Sequence, residues 1–281
     1  MKLALTGAAC VGLLVSTGGV PLIAQMQDNT EKQMSCQNGG YDGERARHCE
    51  MREQSVASIG HLTLDASPNG GITVKGWLRG DTLVRARIEG SAETAAAAAT
   101  LVSQVSIDTS GGLVRAMGPQ SANNSYWSVS YEIFVPQNTD LDLKSHNGGL
   151  NVSDVRGQLH FGVTNGGVHL KRVAGDVSGS TVNGGVQVEL AGPSFDGRQL
   201  EVSTHNGGVT IAMPSNYSAH FQAETNMGGI QSDFPLAVPM ADGGNGNMRP
   251  RKLDSNIGGG GALIHVSTVN GQVRLKKSDT Q

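Results

Sequence analysis

The chain has 281 residues, with 21 Lys+Arg against 24 Asp+Glu (formal charge −3), 37% hydrophobic and only 4% aromatic residues, and 40 glycines. That balance excludes a broadly basic nucleic-acid binder and a polyacidic tail, and the glycines lack the period of three that collagen needs. Low charge with pervasive Val/Leu/Ile alternation argues against disorder, leaving a Gly-rich, turn-rich, all-β protein.

Met1-Lys2 gives a short basic start, and Leu3 to Ala24 runs 22 residues without a charge. With small residues around Ala24, residues 1–24 read as a secretory signal peptide. A retained membrane anchor is the alternative, weakened by Gly7, Gly12, Gly18, Gly19 and Pro21. Acylation of Cys10 is a third reading, disfavoured because Gly7 stands where a lipoprotein box has Leu. No other stretch approaches membrane length, so the expected mature chain has no membrane span and is exported: periplasmic, cell-surface or secreted. It keeps two cysteines, Cys36 and Cys49, which in an oxidising compartment read as a disulfide. Such a short loop contributes about 3 kcal/mol in the chain-entropy model. A metal site on Cys36, His48 and Cys49 is rejected: adjacent side chains diverge on an extended chain, and no second Cys/His cluster completes the ligand set.

Residues 25–54 are polar and read as a disulfide-pinned surface segment. Residues 55–139 form a strand and helix capping region. Within it His61 to Ala66 alternates, turns at Pro68-Asn69-Gly70-Gly71 and resumes over Ile72 to Trp77, and Thr82 to Glu89 alternates again. Ser91 to Ser103 is Ala-rich and free of Gly and Pro, a helix with Ser91 as candidate cap. Trp127, Val129, Tyr131, Ile133 and Val135 line one face of a long strand.

Residues 140–277 are repetitive. Asn-Gly-Gly recurs at Asn147, Asn165, Asn183 and Asn206, spaced by 18, 18 and 23, with degenerate copies at Met227-Gly228-Gly229 and Asn270-Gly271-Gln272. The same positions after each turn are apolar: Leu150 and Val152, Val168 and Leu170, Val186 and Val188, Val209 and Ile211, Val273 and Leu275. A unit of two short strands cannot bury its own apolar face, so stacked copies must share one core. The constant 18-residue unit favours a parallel β-solenoid of about six rungs, with asparagines stacked one rung apart in an amide ladder. The rival is an antiparallel β-sandwich, since Asn-Gly is also the strongest short hairpin signal. In the solenoid the second residue of each turn is expected to need positive φ, and residues 262–277 form the terminal rung, its edge blunted by Lys276-Lys277. Residues 240–261 read as a Gly-rich loop thrown out before it.

The N-terminal segment, the cysteine pair ending in Cys49-Glu50-Met51-Arg52-Glu53, Trp77, the run Trp127 to Pro136 and the recurrent Asn-Gly-Gly-Val resemble a bacterial β-strand-repeat family of unknown function labelled "putative adhesin". The resemblance spans roughly residues 55–277. It implies a right-handed parallel β-helix-like domain in the cell envelope, with no catalytic residues to carry over.

Enzyme motifs are missing. There is no Gly-x-Ser-x-Gly, phosphate loop, His-Glu-x-x-His or calcium nonapeptide. His146 and His205 both precede Asn-Gly-Gly, but three rungs at about 4.8 Å each keep them from sharing a metal. Asp154 matches Arg172 and Asp176 matches Gln158, so no carboxylate pair stacks on neighbouring rungs as a glycosidase would need. No catalytic, cofactor or metal residue is assigned. The functional reading is a non-catalytic envelope protein, structural or adhesion-like, whose partner is a surface glycan or an envelope protein. The alternatives are a carbohydrate-active β-helix enzyme and an envelope sensor working through residues 240–261.

Overall fold

The computed structural model describes residues 34–36, 41–42, 45–121, 124–236 and 250–278. The signal segment 1–24 and residues 240–249 of the Gly-rich loop lie outside the described residues. Among the described residues no helix is long and apolar enough to cross a membrane.

The chain forms two mixed sheets, one of eleven strands and one of ten. Most units contribute one strand to each. Asp140–Asn147, Arg156–Asn165, Ala174–Asn183 and Gln199–Asn206 lie side by side in the ten-stranded sheet. Their successors Leu150–Ser153, Val168–Lys171, Val186–Glu189 and Val209–Pro214 lie side by side in the other. Pairing is parallel and in phase with the repeat: Leu150 faces Val168, Val168 faces Val186, and Val186 faces Val209. The alternating apolar side chains of both sheets meet in one buried cluster. Leu141, Leu159, Val177, Leu200 and Ile264 contribute from one side, and Leu150, Val168, Val186, Val209 and Val273 from the other. Volume is matched between neighbours. A Cβ on Gly179 would meet the Phe161 ring at 2.5 Å, so the glycine makes room for the ring on the next rung.

The expected clean, right-handed parallel solenoid is overturned. The sheets are mixed, and the arrangement is sandwich-like. In the eleven-stranded sheet, Asp81–Ala92 runs antiparallel to Tyr126–Pro136, and Arg45–Ala57 runs antiparallel to Asp81–Ala92. In the ten-stranded sheet, Ser106–Asp108 pairs antiparallel with Leu113–Met117, and Lys252–Ile257 with Ala219–Met227. The turns between repeats do not close antiparallel hairpins either, because successive units pair parallel. The physical reason is edge closure. A parallel stack ends in open ladders and uncovered apolar faces, and reversing strands cover both.

Chain order is also broken at both ends. Leu113–Met117 and Tyr126–Pro136 lie outside His61–Asp65 and Ile72–Trp77 although they follow them in sequence. At the other end Leu263–Asn270 sits between Gln199–Asn206 and Ala219–Met227, and Val273–Ser278 sits between Val209–Pro214 and Ile230–Ser232. Residues 263–278 are therefore an interior layer, not the terminal one. The outer layer is closed by Lys252–Ile257, a strand inside the segment expected to be a loop.

Two further local expectations change. Residues 45–57, partly within the segment read as surface, form a 13-residue strand of which only Ala46 is buried. The helix spans Ala95–Ser103 and is capped by Thr94, whose hydroxyl accepts from Ala97 N–H at 3.2 Å; Ser91 is instead buried at the end of its strand. The helix packs its Ala98, Leu101 and Val102 face on the long strands. It comes close because Gly90 has no Cβ, which would lie 2.7 Å from a Val102 methyl. Arg52 closes the helix C-terminus, donating to Val102 O at 3.1 Å and to Val105 O while pairing with Glu50 at 2.7 Å.

Deleting residues 262–281 removes an interior layer. Leu200, Val202, Val209 and Ile211 lose their cover on one side, and Phe221 and Ile230 on the other. Amide exchange of the truncated chain is expected to show lost protection from residue 199 onward and retained protection over 61–77 and 140–171. Full protection of 219–232 in that variant contradicts the interior placement.

Candidate functional site

The turns that join the two sheets carry the repeated chemistry. Asn147, Asn165, Asn183, Asn206 and Asn270 come into one line, and Asn69 joins as a sixth member. Each amide donates from Nδ2 to the Oδ1 of its neighbour. The distances are 2.8 Å for Asn147 to Asn69, 2.9 Å for Asn165 to Asn147, 2.8 Å for Asn183 to Asn165, 2.8 Å for Asn206 to Asn183 and 2.7 Å for Asn270 to Asn206. The ladder stops where Met227 stands opposite Asn270 and offers no amide. Asn69-Gly70-Gly71 carries the repeat signature in the sequence, but it stands apart from the regular spacing.

A second, buried ladder has no counterpart in the sequence reading. Two residues before each asparagine position, Thr181, Thr204, Thr268 and Thr225 point into the core. They donate to the carbonyls of Gly166, Gly184, Gly207 and Gly271 at 2.8, 2.7, 2.7 and 2.9 Å. The single Ser145 hydroxyl proton is shared between Gly70 O and Gly148 O, each 3.0 Å away, the second of these standing in for Val163, which has no hydroxyl to offer. These bonds satisfy turn carbonyls that would otherwise be buried and orphaned. The signal was available: a Ser or Thr precedes the asparagine by two in most units.

The two glycines of each turn do different jobs. The first faces the neighbouring rung. A Cβ on Gly148, Gly166, Gly184 or Gly207 would lie 2.1 to 2.3 Å from a glycine carbonyl oxygen of the adjacent turn. Gly184 has no positive φ, so the expected reason for glycine is corrected: close backbone approach excludes a side chain there. The second glycine is under a milder constraint: a Cβ there would press on the next rung's carbonyl oxygen at 3.1 to 3.6 Å instead of overlapping it. A Cβ on Gly149, Gly167, Gly185 or Gly208 would come no nearer than 3.1 Å to any backbone atom, none of the four has positive φ, and Gln272 fills the equivalent position of its own rung.

Those second glycines floor a groove of about 530 Å³ on the outer face of the eleven-stranded sheet. Asn151, His169, Gln187 and Thr210, one per rung in direct register, stand along it. Glu189 pairs with Lys171 at 3.4 Å and accepts from Gln187 at 3.4 Å, while His169 Nε2 lies 3.3 Å from the carboxylate without a hydrogen bond among the described residues. The groove is thus a polar track crossing four strands, with donors and acceptors at strand spacing.

At the opposite corners, acids meet bases. Asp154 and Arg172 both take left-handed backbone, with φ of 60° and 50°, and pair through two bonds of 2.6 and 2.7 Å. Asp176 pairs with Arg198, and Asp196 with Arg156. The Arg198 guanidinium holds the Asp176 carboxyl below the usual carboxylate range, and Arg156 does the same for Asp196. Burial pushes the Tyr131 and Tyr217 phenols upward, so both stay neutral in the core. Cys36 and Cys49 are joined in a disulfide. His146 and His205 are both exposed, on strands separated by two others. Among the described residues no three His, Cys, Asp or Glu side chains converge on a common point.

No protein-family profile matches the chain. Among solved structures, it is similar to a putative cell adhesion protein from Clostridium sporogenes, with 10% identity, a TM-score of 0.47 and coverage of 82% of this chain and 100% of that one. It is also similar to a putative adhesin from Parabacteroides merdae, with 11% identity, a TM-score of 0.40 and coverage of 82% and 94%. A putative adhesin from Bacteroides fragilis has 10% identity, a TM-score of 0.34 and coverage of 82% and 97%.

Two tests follow from this geometry. Gly184→Ala should destabilise by about 3 kcal/mol or more, because backbone must move, whereas Gly185→Ala should cost under about 1 kcal/mol; urea midpoints compare them. Equal effects contradict the division of roles. A carboxyl whose pKa is depressed on folding stabilises above its unfolded pKa, and that contribution is lost as pH falls through the folded value. The thermal midpoint should therefore drop below about pH 4, and less steeply in Arg198→Gln, which already lacks the Asp176 contribution. The difference is small because both partners are exposed.

Proposed function

We propose that the protein is an exported, non-catalytic envelope protein whose groove holds an extended surface glycan. The second glycine of the turns carries this reading. Its backbone conformation does not require glycine and Gln272 fills the same position of its own rung, yet it recurs in four adjacent rungs and keeps the floor of a polar groove free of side chains, as a close-lying ligand demands. Polar groups repeated at strand spacing suit a linear polymer better than a compact molecule. The carboxylate beside the groove, Glu189, is engaged by Lys171 and Gln187, which favours holding over cutting. The charge-free run Leu3–Ala24 and the Cys36–Cys49 disulfide support export.

Replacing both Gly167 and Gly185 by Gln, the residue found at position 272, tests the reading. On an array of bacterial surface glycans the parent chain should bind, and the double variant should lose at least tenfold with its melting temperature unchanged within a few degrees. Gly162→Gln, at an open position on the other sheet, is the control and should bind as the parent does. Binding to no glycan, or equal binding by all three chains, overturns the proposal.

A further inference from the structure

The row of glycines that floors the groove is interrupted at Gln272, and the interruption has a companion. Gln272 lies beside Gly208 on the adjoining strand, so a side chain stands where the bare floor would otherwise continue. Its Oε1 accepts from Arg274 Nη2 at 3.1 Å. Arg274 faces Thr210 in direct register and so prolongs the line of Asn151, His169, Gln187 and Thr210 by one strand. Gln272 thus holds an exposed guanidinium at the end of the polar track. Lys276, also exposed, lies two residues further along the same strand and on the same face.

Charge sets this end apart. Beside the groove, Glu189 is matched by Lys171 at 3.4 Å. Beyond the opposite end, Thr73 and then Glu132 follow in register, and Glu132 pairs with Lys75 at 3.3 Å and Arg85 at 3.4 Å. Arg274 uses one of its several N–H donors on a neutral amide, and neither it nor Lys276 forms an ion pair among the described residues. Of the groups around them, Gln231 opposite Arg274 is neutral, and the Asp233 carboxylate accepts from the Lys277 backbone N–H at 3.2 Å. The surplus positive charge of the track is therefore gathered at one end. There a planar donor fork suits a carboxylate, and the ammonium adds a second positive charge. Asn151 and Arg274 are four strand spacings apart, or about 19 Å, so a ligand that touches both is an oligomer.

We infer that the glycan in the groove is acidic, with the carboxylate of one uronic acid residue taken by Arg274, for which Gln272 is the positioning residue. This rests on the groove reading and names the chemical class of its polymer.

The probes are tetragalacturonate and its fully methyl-esterified form, which keeps the sugar chain and removes the charge. Both are titrated into the full-length protein. The acid should bind about fivefold more tightly than the ester, the size that exposed ion pairs allow, and the preference should shrink as salt is raised. Arg274→Gln should reduce the preference to under about twofold while ester binding stays as in the parent. Gln272→Ala should lower the preference too, with ester binding and melting temperature unchanged. Lys144→Gln, an equal change of charge at an exposed position on the other sheet, should keep the full preference. A preference that survives Arg274→Gln, or that Lys144→Gln reduces as much, overturns the inference, and one untouched by Gln272→Ala overturns the positioning role. Equal binding of the two oligomers, or array binding confined to neutral glycans, overturns the acidic reading and leaves the groove reading standing. Acid binding that the Gly167→Gln/Gly185→Gln chain keeps in full, or no binding of any glycan, overturns both.

Discussion

The close approach of one turn's backbone to the next governs this molecule. With the first glycine of each turn lacking a side chain, the neighbouring glycine carbonyl comes within about 2 Å of where a Cβ would stand. Every other repeated contact depends on that approach. Only at this spacing do the asparagine amides reach one another at 2.7 to 2.9 Å, and only then do the buried threonine hydroxyls reach the carbonyl of the adjoining rung. The exposed amide ladder competes with water and adds modestly to stability. The buried hydroxyl ladder matters more, because unpaired carbonyls at the ends of a dry core would be costly.

The repeat solves the interior and leaves the ends unsolved. Each parallel layer covers the one before it, so the outermost layers have open ladders and bare apolar surface. The chain deals with this by reversing direction. The strands Arg45–Ala57 and Asp81–Ala92 close one end with a helix laid against them, and Lys252–Ile257 closes the other. Charges on both faces of Arg45–Ala57, such as Arg47 and Glu53 on one and Glu50 and Arg52 on the other, make that long border a poor template for indiscriminate pairing.

The parts of this fold legible in the sequence are those set by local period. Apolar alternation identified Leu150, Val168, Val186, Val209 and their partners as core, and matched Asn-Gly-Gly positions placed five of the six ladder asparagines. The disulfide followed from cysteine count and compartment. What the sequence concealed was long-range or steric. Arg45–Ala57 reads as surface because only Ala46 in it is buried; its strand character comes from a partner distant in sequence. Nothing in residues 263–278 marks them as interior, because their pattern equals that of a unit at the end. The glycine requirement was visible, but its cause was misassigned at Gly184: Asn-Gly suggests a turn with positive φ, whereas the constraint there comes from the adjoining backbone, and Gly207 alone among the first glycines of the turns combines that approach with a positive φ, of 158°. The groove had no sequence signal, since it emerges only from comparing two glycines of one turn, one forbidden a side chain and the other only crowded by the next rung.

The placement of residues 263–278 has a consequence for the order of assembly. From Asp140 the chain can add layers one at a time as far as Pro214, each docking on a finished predecessor. The layer made next, Ala219 to Ser232, has no such seat, because the strands it rests on are synthesised later. It must wait, its apolar side chains unhoused, until Ser278 is available and the final segment slides in beside Gln199–Asn206 like a keystone. Assembly in this half of the molecule is thus all-or-none, which puts its one vulnerable interval between the emergence of Ala219 and that of Ser278.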